Sequence, residues 1–318
     1  MHRNYRCTIS YGKLNIPVYR VYAQPLTNIT PIPESRFKGR PNTLFALLID
    51  VEVFGNNFLP AYTEGDNRNV VATDSMKNFV LRQALNFEGS TIEALLIFLG
   101  QRFLSTYTQM EQIRLTTREL PFSPAQLPEK ASTILFRREH GDFTTATMDF
   151  TRDTNQQPVI TAHQCGRLQM ELFKVTGSAF THFVQDEYTT LPERMDRPLF
   201  IRLNVYWTYT DVTSLLTPDH AAYVASEQVR DLIQFVFDEF VSESIQHLVY
   251  EMGCRLLERF PQLATVTFDA QNHTRDLVVA AQEEEQIKVY TDPFTAFGNI
   301  HLTLSRTSEE NQSEEPRL

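Results

Sequence analysis

The sequence is poor in the features that announce most chemistries. It has three cysteines, Cys7, Cys165 and Cys254, scattered too widely for a disulfide framework or a metal-ligand spacing. A reducing compartment is the simplest setting for them. The eleven glycines form no phosphate-cradling loop and no Gly-x-Ser-x-Gly elbow, and flavin and nicotinamide fingerprints are absent. The eight histidines are dispersed and none pair at i, i+2 or i, i+4, which argues against a metalloenzyme. Positive charge is short: 29 Lys and Arg face 39 Asp and Glu, a net charge of -10, whereas a nucleic-acid binder needs a basic surface. No apolar run approaches the ~20 residues of a membrane helix, and "MHRNYRCTISYGK" lacks the apolar core of a signal peptide. The expectation is a soluble, intracellular protein.

What is present is a large apolar content and a repeat. The chain has 318 residues, 42% hydrophobic and 11% aromatic, enough for a substantial core. Residues 74–115 align without a gap to 227–268, at a constant offset of 153. Apolar positions keep phase at helical spacing: Met76, Phe79, Val80, Ala84 and Phe87 against Val229, Leu232, Ile233, Phe237 and Phe240. A second helix follows in each copy, with Ile92, Leu95, Leu96, Leu99 and Phe103 against Ile245, Leu248, Val249, Met252 and Leu256. A strand-like end follows, "YTQMEQIRL" against "FPQLATVTF".

Segments alternating with period two precede each helix pair. They are 14–23 and 43–54 before the first, and 142–152, 167–175 and 198–209 before the second; 298–306 closes the second half. Each half therefore reads strands, helix, helix, strands. The predicted class is α+β, a tandem duplication of antiparallel sheets covered on one face by helix pairs. Prolines in "PFSPAQLPEKA" (121–131) mark a junction, giving a first repeat over 9–125 and a second over 130–306. The acidic stretch 307–318 reads as a disordered tail. Open sheet edges predict a closed oligomer.

The segment "YTEGDNRNVVATDSMKN" resembles the signature of the urate oxidases (uricases). So do "YGK" (11–13), "GSAFTHFVQDEYTTLPERMDRPL" (177–199) and "SIQHLVYEMGCRLLERFPQL" (244–263). The likeness runs over residues 9–305. It implies the tunnelling fold, two repeats per subunit, assembled as tetramers of stacked barrels with active sites between subunits. It implies oxidation of urate by O2 to 5-hydroxyisourate and hydrogen peroxide, without metal or organic cofactor.

Residue by residue, the resemblance implies the following. Lys13, which by spacing alone is an ordinary lysine at a strand start, would be the base that draws a proton through a threonine hydroxyl. Partial burial would lower its pKa from about 10. Thr73 would relay that proton and touch the ligand. Asp74 would bind through its backbone N–H at a helix start. The same pair also reads as a helix cap, worth roughly 1 kcal/mol. Phe180 would stack on the flat purine, where packing alone would place it in the core. Arg197, otherwise a salt-bridge partner for Asp196 or Glu193, would grip the pyrimidine side with a two-pronged donor. The Ile245 N–H and the Gln246 amide would complete the far edge. Glu93 stands at the repeat-equivalent of Gln246 and, as a carboxylate, cannot donate, so only one repeat contributes this element. Asn272 would sit above the ligand plane near O2, peroxide or water.

One departure stands out. Many relatives carry a histidine two residues after the asparagine; here Thr274 holds that position and His273 precedes it. Strand alternation would turn His273 away, so no catalytic histidine is carried over. Two other readings stay open: a non-catalytic purine-binding protein of this fold, and a pterin- or GTP-transforming relative, which would use clustered His or Cys. The C-terminal Pro-Arg-Leu departs from a peroxisomal tripeptide, so a cytoplasmic location is expected.

Overall fold

A computed structural model of the chain describes residues 7–217, 220–282 and 286–307. The tail expected at 307–318 lies outside them, apart from Thr307. The chain divides into two compact units. The first comprises the segment up to Thr30, Lys38–Cys165 and Val212–Tyr223; the second comprises Pro31–Phe37, Gly166–Asp211 and the chain from Val224 onward.

The first unit begins with β1 (Ser10–Val21) and β2 (Leu44–Phe54), followed by α1 (Leu59–Thr63), α2 (Thr73–Asn86) and α3 (Ile92–Thr106). Then come β3 (Gln112–Glu119), β4 (Phe122–Gln126), β5 (Ala131–Arg138), β6 (Phe143–Arg152) and the start of β7 (Pro158–Lys174). Its antiparallel sheet runs β1-β2-β3-β6, continued by β7. Alternate residues of β2 carry the core: Leu47, Ile49, Val51 and Val53 are each 0% exposed. They turn to the face on which Met76 and Val80 of α2 and Leu95, Leu99 and Phe103 of α3 are buried. Each such side chain contributes about 1.5–3 kcal/mol on burial.

In the second unit the rest of β7 is followed by β8 (Leu199–Tyr209), α4 (Ser226–Glu239), α5 (Ile245–Arg259) and β9 (Leu263–Asn272). A hairpin of β10 (Leu277–Ala280) and β11 (Lys288–Tyr290) precedes β12 (Gly298–Ser305). Here the sheet order is β7-β8-β9-β12. Val229, Leu232, Ile233, Leu248, Val249 and Met252 are buried beneath the helices, as the period-3.6 stripe requires.

The offset of 153 recurs in the helices. α2 and α4 begin at 73 and 226, α3 and α5 at 92 and 245. The caps repeat as well: Thr91 accepts the Ala94 N–H and Ser244 accepts the His247 N–H, both at 3.1 Å. The structure differs from the sequence reading in two places. The segment 142–152, expected to open the second half, is β6 and closes the first sheet against β3. Residues 121–131, expected as a junction, form β4 and its turn into β5, and the compact units divide instead within β7, at Cys165 and Gly166. Proline is admitted in β4 because this is a separate two-stranded ribbon with open edges.

Candidate active site

The site residues fall into two sets, one on each unit. In the first unit the motif 11–13 starts β1. The Tyr11 hydroxyl accepts the Val71 N–H at 3.1 Å, and its ring meets Phe58 edge-on at 5.1 Å. Burial raises the Tyr11 pKa, so the phenol stays protonated. Tyr62 donates to the Ser10 carbonyl at 2.9 Å. The segment before α2 is thereby pinned to the strand that carries Lys13.

Gly12 is required by a close approach: a Cβ there would lie 1.9 Å from the Val51 carbonyl oxygen. Lys13 sits opposite Val51, half-buried, immediately before the register slips toward Ile16. In the bulge Asn15 adopts φ 55° and its N–H donates to the Asp50 carboxylate.

Thr73 is the first helical residue of α2, and the N-cap is Ala72, which has no side chain to cap with. This corrects the capping role expected of Thr73 and Asp74. The first intrahelical bond is Met76 N–H to Ala72 O at 3.1 Å, so the N–H groups of residues 73–75 have no helical acceptor. Thr73 is half-buried and Asp74 exposed. The Asp74 carboxylate accepts from Lys77 and Asn78. The Lys77 bond, then its charge, outweighs the small desolvation and lowers the Asp74 pKa; Asn78 and the Lys13 ammonium add to this. Lys13 is thus close enough to the start of α2 to be felt there. The 61–70 loop carries an exposed Arg68–Asp66 ion pair at 2.6 Å and makes no bond to Lys13 or Thr73 among the described residues.

In the second unit a cavity of about 150 Å³ brings together Phe180, Arg197, Asn272 and Thr274. Phe180 and Arg194 exchange backbone hydrogen bonds, and the Arg197 N–H donates to the Ser178 carbonyl, so the two segments are knitted together. The Arg197 guanidinium lies over the Phe180 ring at 5.1 Å. Its buried Nε has no hydrogen-bond acceptor among the described residues. Burial lowers its pKa, although a guanidinium remains charged. The salt-bridge alternative for Arg197 is not seen. Asp196 instead accepts from Gly177 N–H at 2.7 Å and Thr176 Oγ1 at 2.8 Å, while Glu193 accepts the His182 N–H. Phe180 also stacks on Phe183 at 4.7 Å and 12°.

Asn272 ends β9, flanked by Ile201 of β8 and Gly298 of β12. His273, expected from alternation to turn away, also borders the cavity; its Nε2 bonds Gln271 Oε1 at 3.1 Å and its ring packs against Phe200 and Phe297. Burial, then the charges of Arg202 and Arg275, lowers its pKa despite Glu171, so the imidazole is neutral at pH 7. Ile245 and Gln246 open α5 behind the Ser244 cap, which takes only the His247 N–H. Ile245 is buried and Gln246 exposed, and neither lines the cavity. Among the described residues no three His, Cys, Asp or Glu side chains cluster as metal ligands, and all three cysteines are free.

Sequence reasoning passed over Tyr11, although it lies inside the quoted motif, and Arg275, which lies beside Thr274 on the cavity wall.

Comparison with known proteins identifies the family. The family model named Uricase matches residues 55–161 and 163–301. The uricase of Haloferax volcanii is 49% identical over 310 residues, covering 96% of this chain and 100% of that protein. The uric acid degradation bifunctional protein of Bacillus subtilis is 44% identical over 311 residues, and the chain spans 63% of its length. The crystal structure of urate oxidase from Bacillus sp. TB-90 superposes with a TM-score of 0.91 at 41% identity, covering 94% of this chain and 100% of that one. The duplicated α+β architecture is the tunnelling fold of these neighbours. With the family model matched over most of its length and a relative at 49% identity, the chain belongs to the uricase family.

Proposed function

We propose that the chain oxidises urate with O2 and water to 5-hydroxyisourate and hydrogen peroxide, in purine degradation, without metal or organic cofactor. The observation that carries this reading is the Arg197–Phe180 pair. A planar cation with an unanswered buried N–H lies across an aromatic face, in a cavity that also holds the Asn272 amide. Such a corner suits a flat, anionic, hydrogen-bonding heterocycle.

The roles are those that the resemblance to the urate oxidases implies for each group. Phe180 fixes the plane of the ring and Arg197 its pyrimidine side. The Ile245 N–H and the Gln246 amide take the far edge, and the Asp74 N–H the edge at the start of α2. Lys13 takes the substrate proton through the Thr73 hydroxyl. The resulting electron-rich ring passes an electron to O2, and recombination at C5 gives a hydroperoxide. Peroxide departs and water adds at C5, with Asn272 holding the small oxygen species. The protein supplies position, desolvation and proton handling. The working form is a homotetramer of stacked barrels, with each site completed across a subunit boundary, and its setting is the cytoplasm.

The test is urate consumption, O2 uptake and peroxide release on purified, chelator-treated protein. One peroxide per urate is the expected result. Thr274 at the position where relatives carry histidine favours one second reading, a purine receptor without turnover. Binding of urate with no O2 consumed would select it. Neither binding nor turnover would refute the assignment of the site residues.

A further inference from the structure

The cavity of the second unit carries more charge than its ligand contacts require. Arg194, Arg197, Arg275 and Lys288 all line it, against two acids, Asp196 and Asp276. None of the four cations forms an ion pair among the described residues. The Asp196 carboxylate is instead occupied by the Gly177 N–H and the Thr176 hydroxyl, with Lys288 near enough to influence it. This excess stands in a chain of net charge -10. A positive pocket on an acidic molecule costs stability through self-repulsion unless something anionic enters it.

Arg275 is held in place by its neighbours. Its guanidinium lies over Phe200 at 5.1 Å and Phe173 at 5.5 Å, and its Nη1 donates to the Thr291 carbonyl at 3.1 Å. Its buried Nε has no acceptor among the described residues. Two aromatic faces and one carbonyl thus fix a cation without neutralising it. Lys288 is the opposite case, an exposed ammonium on the first residue of β11, at the rim of the same cavity.

We propose that Arg275 and Lys288 form an electropositive capture site at the mouth of this cavity, which draws planar organic monoanions toward Arg197 and Phe180 and so sets the association rate. The inference rests on the urate reading above, and it deepens that reading by naming the residues that select for negative charge. Long-range attraction of this kind raises association rates by roughly 10–10³ and disappears as salt screens it. The screening length falls to about 3 Å at 1 M salt.

The experiment is stopped-flow association of urate without O2, which reads binding whether or not the chain turns urate over. Wild type, Lys288→Gln, Arg275→Gln and Arg275→Lys are compared at low salt and at 1 M salt. The expected result is an association rate lower by about threefold or more in both glutamine variants at low salt, with the gap closing at 1 M. Arg275→Lys, which keeps the charge, restores most of the wild-type salt slope. Equal salt slopes for wild type and Lys288→Gln would overturn the proposal, as would a gap of the same size at both salt concentrations. Failure of the urate oxidase reading shows separately, as absence of O2 uptake by wild type.

Discussion

Glu93 gives the most quantitative test of the fold. It lies in the first turn of α3, 1% exposed, and its carboxyl accepts the Tyr223 hydroxyl at 3.2 Å. Desolvation pushes its pKa from 4.5 up to about 7, with Glu119 adding to the rise, while its own backbone N–H, Tyr223 and Arg40 oppose it. A folded-state pKa above the unfolded value means that the native state binds a proton the unfolded chain has already released. Stability from this group is therefore whole below pH 4.5, declines as pH rises, and is lost once pH passes about 7. The displacement corresponds to about 3 kcal/mol. Glu93→Gln keeps the shape and the acceptor for Tyr223 but cannot ionise. Urea unfolding, followed by circular dichroism at fixed protomer concentration, should show the variant near wild type at pH 5 and clearly more stable at pH 8. Parallel stability profiles across that range would refute the reasoning.

Further predictions concern the site. Lys13→Met should lower turnover at least about 100-fold while leaving anaerobic urate affinity within a few-fold, measured by steady-state kinetics beside calorimetry; unchanged turnover removes Lys13 as the base. Arg197→Ala should weaken urate binding by about 100-fold, the worth of two charge-assisted hydrogen bonds, and equal affinity rules out the clamp. Gly12→Ala places a carbon 1.9 Å from the Val51 carbonyl oxygen. It should cost about 1–3 kcal/mol, read as a lowered Tm, and should reduce kcat by displacing Lys13; a Tm and kcat equal to wild type would show that the strand relaxes freely.

The helices and their duplication were legible because burial imposes a period. The stripes around Val80 and Ile233 and the caps Thr91 and Ser244 can all be read from spacing. Strand order was not legible, because 143–152 alternates equally well for either sheet and only pairing with β3 decides. The β4–β5 ribbon was missed because Pro124 reads as a break, and Ile134 at 80% exposure shows that no core burial shapes it. The site residues were assigned through resemblance, since spacing alone leaves Lys13 as an ordinary strand lysine and Phe180 as a core aromatic. Thr73 was misread as a cap because the helix begins one residue earlier than its polar side chains suggest, after Ala72. Tyr11 and Arg275 act through a backbone N–H and two aromatic faces, contacts that need three-dimensional neighbours to be seen.

The sealed Glu93 also bears on stoichiometry. Duplication copied the start of a helix twice, and the copies have since diverged. Gln246 faces outward at one, while at the other Glu93 is shut behind Tyr223, with Cys165 against it. A protein with two repeats should therefore saturate at one purine per chain. Titration calorimetry would count that ratio directly, since at this one position the first repeat offers a buried core group where the second offers an exposed amide.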